Sequence, residues 1–234
     1  MSAGHRGTVQ TSAEQMSSAL RHLVFVSVGF AVAYGLANEL TSLRGDVGDG
    51  VFAWEHGIPF WPWTIVPYLS ICGFFVLSFF VGSDRAELQR HAARLLLALG
   101  IAIVCYAAWP LRFTFERPAT HGMTGLLFRA LSTFDLPYNR APSMHICVLL
   151  LLWVRLLPHT GGWRRVGLHA WFVLIGLSVL TTYQHHVIDV PAGAAVATLS
   201  LAITSRRRWG PGGWPITTVL TRWPARPTRS QPPG

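Results

Sequence analysis

Two short fragments of this chain combine residue types that could transfer a phosphoryl group. They are residues 142–145 (Pro-Ser-Met-His) and residues 185–189 (His-His-Val-Ile-Asp), and each lies where an apolar segment meets a loop. Together they supply histidines, a carboxylate and the start of a predicted helix. Phosphoryl transfer through a histidine needs a nucleophile, a proton donor, an orienting carboxylate and a group of cations. The two fragments therefore indicate a phosphoryl-transfer site.

The spacing of His185 and Asp189 predicts the nucleophile. Residues four apart share a face on a helical turn, so their side chains can hydrogen-bond. A carboxylate bonded to one imidazole nitrogen fixes the tautomer and leaves the other nitrogen available for attack. We predict that His185 is the nucleophile and Asp189 its orienting carboxylate. The alternative is a buried polar pair that only tethers two helices. His186 must face elsewhere and is interpreted as a histidine at the membrane interface.

The second fragment predicts a phosphate-binding helix start and a proton donor. Pro142 ends a loop, and Ser143 is favourable as the N-cap or first-turn residue of the next helix. The free amides and positive dipole at such a start suit a phosphate. We therefore predict that Ser143 binds phosphate and that His145 donates a proton to the leaving oxygen. The alternatives are capping alone for Ser143 and a satisfied polar core residue for His145.

Arginine residues close to these fragments predict the cations. Arg112 and Arg117 follow the third apolar segment, and Arg140 precedes Pro142 by two residues. Each guanidinium can grip phosphate oxygens bidentately. The alternative for each is a lipid-headgroup contact or a salt bridge. The sequence has no carboxylate cluster of the kind that binds a metal, so we expect no metal and no cofactor.

The composition predicts an integral membrane protein. Of 234 residues, 51% are hydrophobic and only 12% are charged, about half the charged fraction of a soluble domain. All 19 basic residues are Arg, and they lie mainly between apolar segments and in the tail. That distribution is typical of membrane topology and makes nucleic acid an unfavoured partner.

We predict an all-α, polytopic membrane bundle. Its segments are residues 1–19, a cytoplasmic N-terminal segment; residues 20–205, the membrane domain; and residues 206–234, a disordered, basic, cytoplasmic tail. About six apolar stretches approach the roughly 20 residues that cross a bilayer. Their predicted ranges are 20–38, 62–82, 92–110, 143–158, 166–184 and 189–205.

The arginine distribution predicts the orientation of the bundle. Arginines of the N-terminus, the second and fourth connections and the start of the tail fall on one side, which is predicted to be cytoplasmic. The connections 39–61, 111–142 and 185–189 fall on the opposite side. That side also carries Arg112, Arg117, Arg129 and Arg140, against the charge rule. Anion binding is a physical reason for placing them there.

These motifs resemble those of the type 2 phosphatidic acid phosphatase (PAP2) superfamily over roughly residues 60–205. The Pro-Ser-x-His motif is unchanged at 142–145, the core of the His-x-x-x-Asp motif is at 185–189, and Arg117-Pro118 matches the end of the first motif. The resemblance implies a PAP2-like bundle in a bacterial inner membrane. It also implies a phosphatase that hydrolyses a lipid phosphomonoester or pyrophosphate at the outer, periplasmic face through a phosphohistidine at His185.

Two departures from the family pattern keep other functions open. Pro110 occupies the place of the family's first-motif Lys, and Val179 that of its third-motif Arg. Residues 183–190 are more similar to the branch with sphingomyelin and inositol-phosphoceramide synthases, which moves a phospho-headgroup between lipids. Related bacterial chains are fused to a dual-specificity phosphatase, but this chain has no Cys-x5-Arg signature. A third alternative is a lipid-anion transporter or binding protein with a histidine proton relay, although the chain shows no inverted repeat.

Overall fold

The computed structural model describes residues 3–82, 85–134 and 137–205, with side chains from residue 13 onward except at residue 134. Seven α-helices occur in these residues: α1 (Ala3–Ser42), α2 (Ile65–Phe80), α3 (Arg85–Ala108), α4 (Gly122–Phe134), α5 (Met144–Leu156), α6 (Gly162–Thr181) and α7 (Asp189–Thr204). Short 3-10 helices cover Ala53–Gly57, Pro62–Thr64 and Leu157–His159. The described part of the chain contains no strand, so the all-α prediction is confirmed. The predicted tail, 206–234, lies outside the described residues.

Helix boundaries differ most from the predicted ranges at two places. Helix α1 begins at Ala3 rather than near residue 20. Residues 3–19, which the sequence predicted as a separate cytoplasmic segment, therefore belong to the first helix. Helix α4 was not predicted, because residues 111–142 were interpreted as a loop. With 13 residues, α4 is too short to meet the length expected of a membrane span.

Within the described residues, three helices are long and apolar enough to cross a membrane: Ala13–Ser42, Pro62–Phe80 and Arg85–Ala108. Shorter apolar helices cover Met144–His159 and Asp189–Thr204. Helix α1 carries a stripe of apolar side chains that are each more than half exposed. They are Leu20, Val24, Phe25, Val28, Val32, Leu36 and Leu40. An apolar surface of this extent is typical of contact with lipid or with another protein.

Long-range contacts bring the connections between helices together at two ends of the bundle. At one end, the buried Arg155 of α5 donates to the Ser78 carbonyl of α2 and pairs with Glu87 of α3 at 3.0 Å. At the other end, Trp61 N–H donates to the Thr181 carbonyl at 2.9 Å. We call this second end the loop end. It collects residues 43–64, 109–121, 137–143 and 182–188, the connections that the sequence placed on one side.

Helices α5 and α7 meet in backbone contact at the loop end. A Cβ atom built on Gly193 of α7 would lie 2.4 Å from the Ser143 carbonyl oxygen. Ser143 N–H in turn donates to the Asp189 carbonyl at 3.1 Å. Only glycine permits this approach, because any other side chain would collide with backbone that cannot yield. The close packing brings the start of α7 against the start of α5.

Candidate active site

Helix α6 ends in a turn that delivers His185 to the loop end. The Val179 carbonyl accepts both Gln184 N–H at 3.2 Å and His185 N–H at 3.1 Å, while Tyr183 N–H donates to the Leu180 carbonyl at 3.1 Å. Tyr183 has φ of 54°. This pattern is a Schellman motif with a residue other than glycine in the left-handed position. The left-handed conformation costs about 1–2 kcal/mol.

Tertiary contacts hold Tyr183 in this conformation. Its hydroxyl donates to the Ile58 carbonyl at 2.8 Å, and its ring lies 5.2 Å from the ring of Phe60. Strained residues persist only where the surrounding structure determines their conformation, and such places are frequently functional. The turn before His185 is therefore a rigid part of the fold.

Two of the predicted phosphate ligands brace the same turn. Arg117 donates from Nε to the Thr182 carbonyl at 3.2 Å and from Nη2 to the Tyr183 carbonyl at 3.1 Å. Arg140, only 3% exposed, donates from Nη1 to the Gln184 carbonyl at 3.0 Å. The two guanidinium groups thus hold three consecutive carbonyls that immediately precede His185. A guanidinium has several N–H donors, so holding backbone and binding an anion are compatible.

The predicted contact between His185 and Asp189 is present. Nδ1 of His185 lies 3.1 Å from Oδ2 of Asp189, and both side chains are buried. Oδ2 also accepts the His186 N–H at 2.9 Å. An ionised carboxylate only accepts, so Nδ1 carries the proton and Nε2 has a free lone pair. Among the described residues, nothing hydrogen-bonds to this Nε2.

His145 and Ser143 lie at the start of α5. The Ser143 hydroxyl accepts the Ile146 N–H at 3.3 Å, which confirms Ser143 as the N-cap. The His145 ring stacks on Tyr68, with centroids 4.0 Å apart. Its Nε2 is buried and has no hydrogen-bond partner in the part of the chain that the structure describes. Ser143 N–H donates to the Asp189 carbonyl at 3.1 Å, so the first turn of α5, which carries His145, begins against the residue that holds His185.

Two buried polar atoms on the predicted catalytic residues have no protein partner. Within the described ranges these are Nε2 of His145 and Oδ1 of Asp189. Buried polar atoms are nearly always hydrogen-bonded, and exceptions require an explanation such as a ligand, a water molecule or a catalytic role. Their occurrence beside His185 supports the location of the predicted site.

A buried glutamate joins the site although sequence reasoning missed it. Glu55 is 1% exposed. Its Oε2 accepts from His186 Nδ1 at 3.2 Å and from Val187 N–H at 3.0 Å, and its Oε1 accepts from Phe52 N–H at 3.0 Å. One sequence feature could have identified Glu55: it is an acidic residue among aromatic residues near an apolar segment. Ionisable groups in such places are usually functional in membrane proteins.

His186 is buried and fully engaged, contrary to its interpretation as an interface histidine. Thr114 N–H donates to Nε2 at 3.3 Å, so the ring proton resides on Nδ1 and is donated to Glu55. Burial lowers the pKa of His186, and the negative charges of Asp189, Glu55 and Asp49 partly oppose this effect. The histidine is neutral and connects the 182–188 turn to two other loops.

Arg112, the third predicted arginine ligand, does not hydrogen-bond to this turn. Its side chain is exposed and makes no hydrogen bond or ion pair with a described residue, while its N–H donates to the Gly48 carbonyl at 3.0 Å. Pro110 and Val179, the residues that depart from the motifs discussed above, are both buried. Of the three predicted arginines, Arg117 and Arg140 are the two that hydrogen-bond to the residues just before His185.

An open cleft of about 460 Å³ lies beside the candidate site, between α4 and residues 117–120. Arg117 belongs to both the cleft and the 182–188 turn, and its guanidinium also lies 4.7 Å from the Phe128 ring centroid. The other polar lining residues are Thr120, Arg129, Ser132 and Thr133. The cleft is positively charged and carries hydroxyl groups, which suits an anionic or hydroxylated ligand.

No group of three or more metal-ligating side chains that could hold an ion occurs in residues 3–82, 85–134 and 137–205. Comparisons with protein families, with curated proteins and with solved structures find no match to this chain.

Proposed function

We propose that the chain is an integral membrane enzyme of the PAP2 type that transfers a phosphoryl group from a membrane lipid through a phosphohistidine at His185. The observation that supports this proposal best is the contact between His185 Nδ1 and Asp189 Oδ2 at 3.1 Å. That contact directs the lone pair of Nε2 away from Asp189. His145, with its buried and unpartnered Nε2, lies nearby.

In the first step, Nε2 of His185 attacks the phosphorus of the lipid phosphate. The N–P bond forms, the bond from phosphorus to the lipid oxygen breaks, and His145, which takes up a proton together with the anionic phosphate, gives that proton to the oxygen. Asp189 stabilises the positive charge that develops on His185. Arg117, Arg140 and the amides at the start of α5 stabilise the negative charge on the phosphoryl oxygens.

In the second step, water attacks the phosphohistidine. The O–P bond forms, the N–P bond breaks, and the proton of the water passes to His145 and leaves with the phosphate, which restores the starting state. Phosphate is the second product. The first candidate function is therefore a lipid phosphatase that acts on a phosphomonoester or pyrophosphate.

A headgroup transferase is the second candidate, because specific residues favour it. The buried Pro110 and Val179 replace the family's Lys and Arg, so the site has fewer cations for a dianionic monoester. A phosphodiester carries less charge per phosphorus and needs fewer cations. The cleft beside Arg117 could hold the hydroxyl-bearing acceptor that replaces water.

A donor and acceptor assay tests both functions. Purified protein in detergent receives a panel of labelled lipid phosphates and diesters, with diacylglycerol added over a range of concentrations. A phosphatase releases water-soluble phosphate at every acceptor concentration. A transferase moves label into a new lipid as the acceptor concentration rises. Label that stays in the donor throughout would contradict both candidates.

Vanadate and EDTA should have opposite effects on this activity. Vanadate adopts the geometry of a phosphoryl group under attack, and we expect it to inhibit by binding at His185 and Arg117. EDTA should leave turnover unchanged, since arginines and helix amides supply the positive charge. The measurement is the initial rate with each reagent. Loss of activity with EDTA that Mg²⁺ restores would contradict a metal-free mechanism.

We further propose that the loop end faces the periplasm of a bacterial inner membrane. The arginines near the opposite end, including Arg155, Arg164 and Arg165, support this orientation. A reporter fused after Arg208 should be cytoplasmic, and one inserted at Gly122 should be outside. The measurement is the activity of a compartment-specific reporter in intact cells. A cytoplasmic location of the Gly122 insertion would contradict this orientation and place the loop end on the cytoplasmic side.

A further inference from the structure

We propose that Glu55 is a positioning residue for this reaction, holding residues 186–187 so that Asp189 stays bonded to His185. This inference rests on the proposed function, since it assigns Glu55 a part in the same chemistry. Glu55 lies 131 residues from His186 in the sequence. It touches neither the nucleophilic nitrogen nor the acid, so it acts only through the 182–188 turn.

The carboxylate of Glu55 is a strong anchor for that turn. It is 1% exposed and accepts three N–H groups, from His186 Nδ1, Val187 N and Phe52 N, at 3.0–3.2 Å. Hydrogen bonds to an ionised acceptor are about twice as strong as neutral ones. Removing such a buried acceptor is costly, because the N–H donors left behind can bond to neither water nor a protein acceptor.

Residue 186 transmits this anchoring to the catalytic pair. Glu55 holds the side chain of His186, while the N–H of His186 donates to Asp189 Oδ2 at 2.9 Å. The same Oδ2 receives Nδ1 of His185 at 3.1 Å. One carboxylate oxygen thus serves two donors, and the position of one donor depends on Glu55. A shift of His186 would change the geometry of the bond that orients His185.

His186 also connects Glu55 to residues 113–117, the segment that ends in Arg117. Its Nε2 accepts the Thr114 N–H at 3.3 Å, and its ring stacks on Phe113 with centroids 4.4 Å apart. Residues 113–114 precede Arg117 on the same segment. Both ring nitrogens of His186 are therefore engaged, which separates its role from that of His185. His186 is a connector between loops and not a second nucleophile.

The test replaces Glu55 by Gln, which keeps the size of the side chain and removes one acceptor oxygen. The new NH2 group must then face at least one N–H donor. We expect Glu55→Gln to lower kcat by about 10²-fold through misplacement of His185. KM should change by less than about threefold, because the phosphate ligands remain in place. Formation of labelled phosphohistidine in a single turnover should slow in parallel.

A conservative variant separates positioning from simple structural damage. His186→Asn can still donate from its amide to Glu55 but cannot reach Thr114. We expect its kcat to stay within about fivefold of wild type, whereas His186→Ala should resemble Glu55→Gln. Asp46→Asn is the matched control, since Asp46 is a carboxylate of the same loop that is 66% exposed and pairs with Arg44. It should leave kcat and KM unchanged.

Rates are expressed per folded protein, measured by monodisperse elution in detergent and by thermal unfolding. A Glu55→Gln protein that forms phosphohistidine at the wild-type rate would overturn the role of Glu55, even when His185→Ala is inactive. A loss of activity explained wholly by a loss of folded protein would also overturn it. An active His185→Ala protein would instead overturn the proposed function itself.

Discussion

His185→Ala is expected to abolish turnover, with a fall of at least about 10⁴-fold in kcat, as for removal of a nucleophile in covalent catalysis. The substitution removes the nitrogen that forms the bond to phosphorus, and no neighbouring group replaces it. His186 cannot do so, because both of its ring nitrogens are hydrogen-bonded. The fold should persist, since Arg117 and Arg140 hold the backbone of the turn through main-chain carbonyls.

Two further variants make this prediction specific. Asp189→Asn should lower kcat by about 10²–10⁴-fold, because an amide no longer enforces the tautomer with its proton on Nδ1. His159→Ala is the matched control: this histidine is exposed and lies in the α5–α6 connection at the opposite end of the bundle. It should leave the rate unchanged.

The measurements are kcat and acid-labile, alkali-stable label on the protein, as expected of a phosphohistidine. Both should disappear in His185→Ala and persist in His159→Ala. Turnover by His185→Ala at the wild-type rate would contradict the proposed mechanism.

Gly193→Ala is expected to damage both stability and activity. The added Cβ would lie 2.4 Å from the Ser143 carbonyl oxygen and 3.2 Å from the Ile146 Cβ. Backbone at a helix start cannot yield locally, so α7 must move away from α5. We expect a loss of about 1–3 kcal/mol in unfolding free energy, the usual cost of overpacking. Separation of Asp189 from Ser143 should also lower kcat by about 10²-fold.

Gly100→Ala is the control for this prediction. Gly100 lies within α3, and a Cβ built there has no heavy atom within 4 Å. Alanine has the higher helix propensity, by up to about 1 kcal/mol, so this variant should be neutral or slightly more stable. The measurement is thermal unfolding in detergent together with the rate of lipid turnover. A Gly193→Ala protein as stable and active as Gly100→Ala would show that α5 and α7 need no close contact.

Local spacing in the sequence determined a large part of the site. The four-residue separation of His185 and Asp189 predicted their hydrogen bond, and Ser143 after Pro142 predicted the N-cap of α5. Both depend on neighbours in the chain, so a short fragment contains the necessary information. Apolar stretches likewise predicted the positions of the long helices, because helix length and hydropathy are also local properties.

Only the tertiary structure decided which distant residues complete the site. Glu55 reaches His186 across 131 positions, and Arg117 and Arg140 reach the carbonyls of residues 182–184 across 65, 66 and 44. No periodicity encodes such contacts, since they depend on how loops from different helices meet at one end of the bundle. Helix α4 was missed for a related reason: it packs beside that end and is too short to be recognised as a span. Local pattern identified the residues that we propose react, and long-range packing supplied the side chains that hold them.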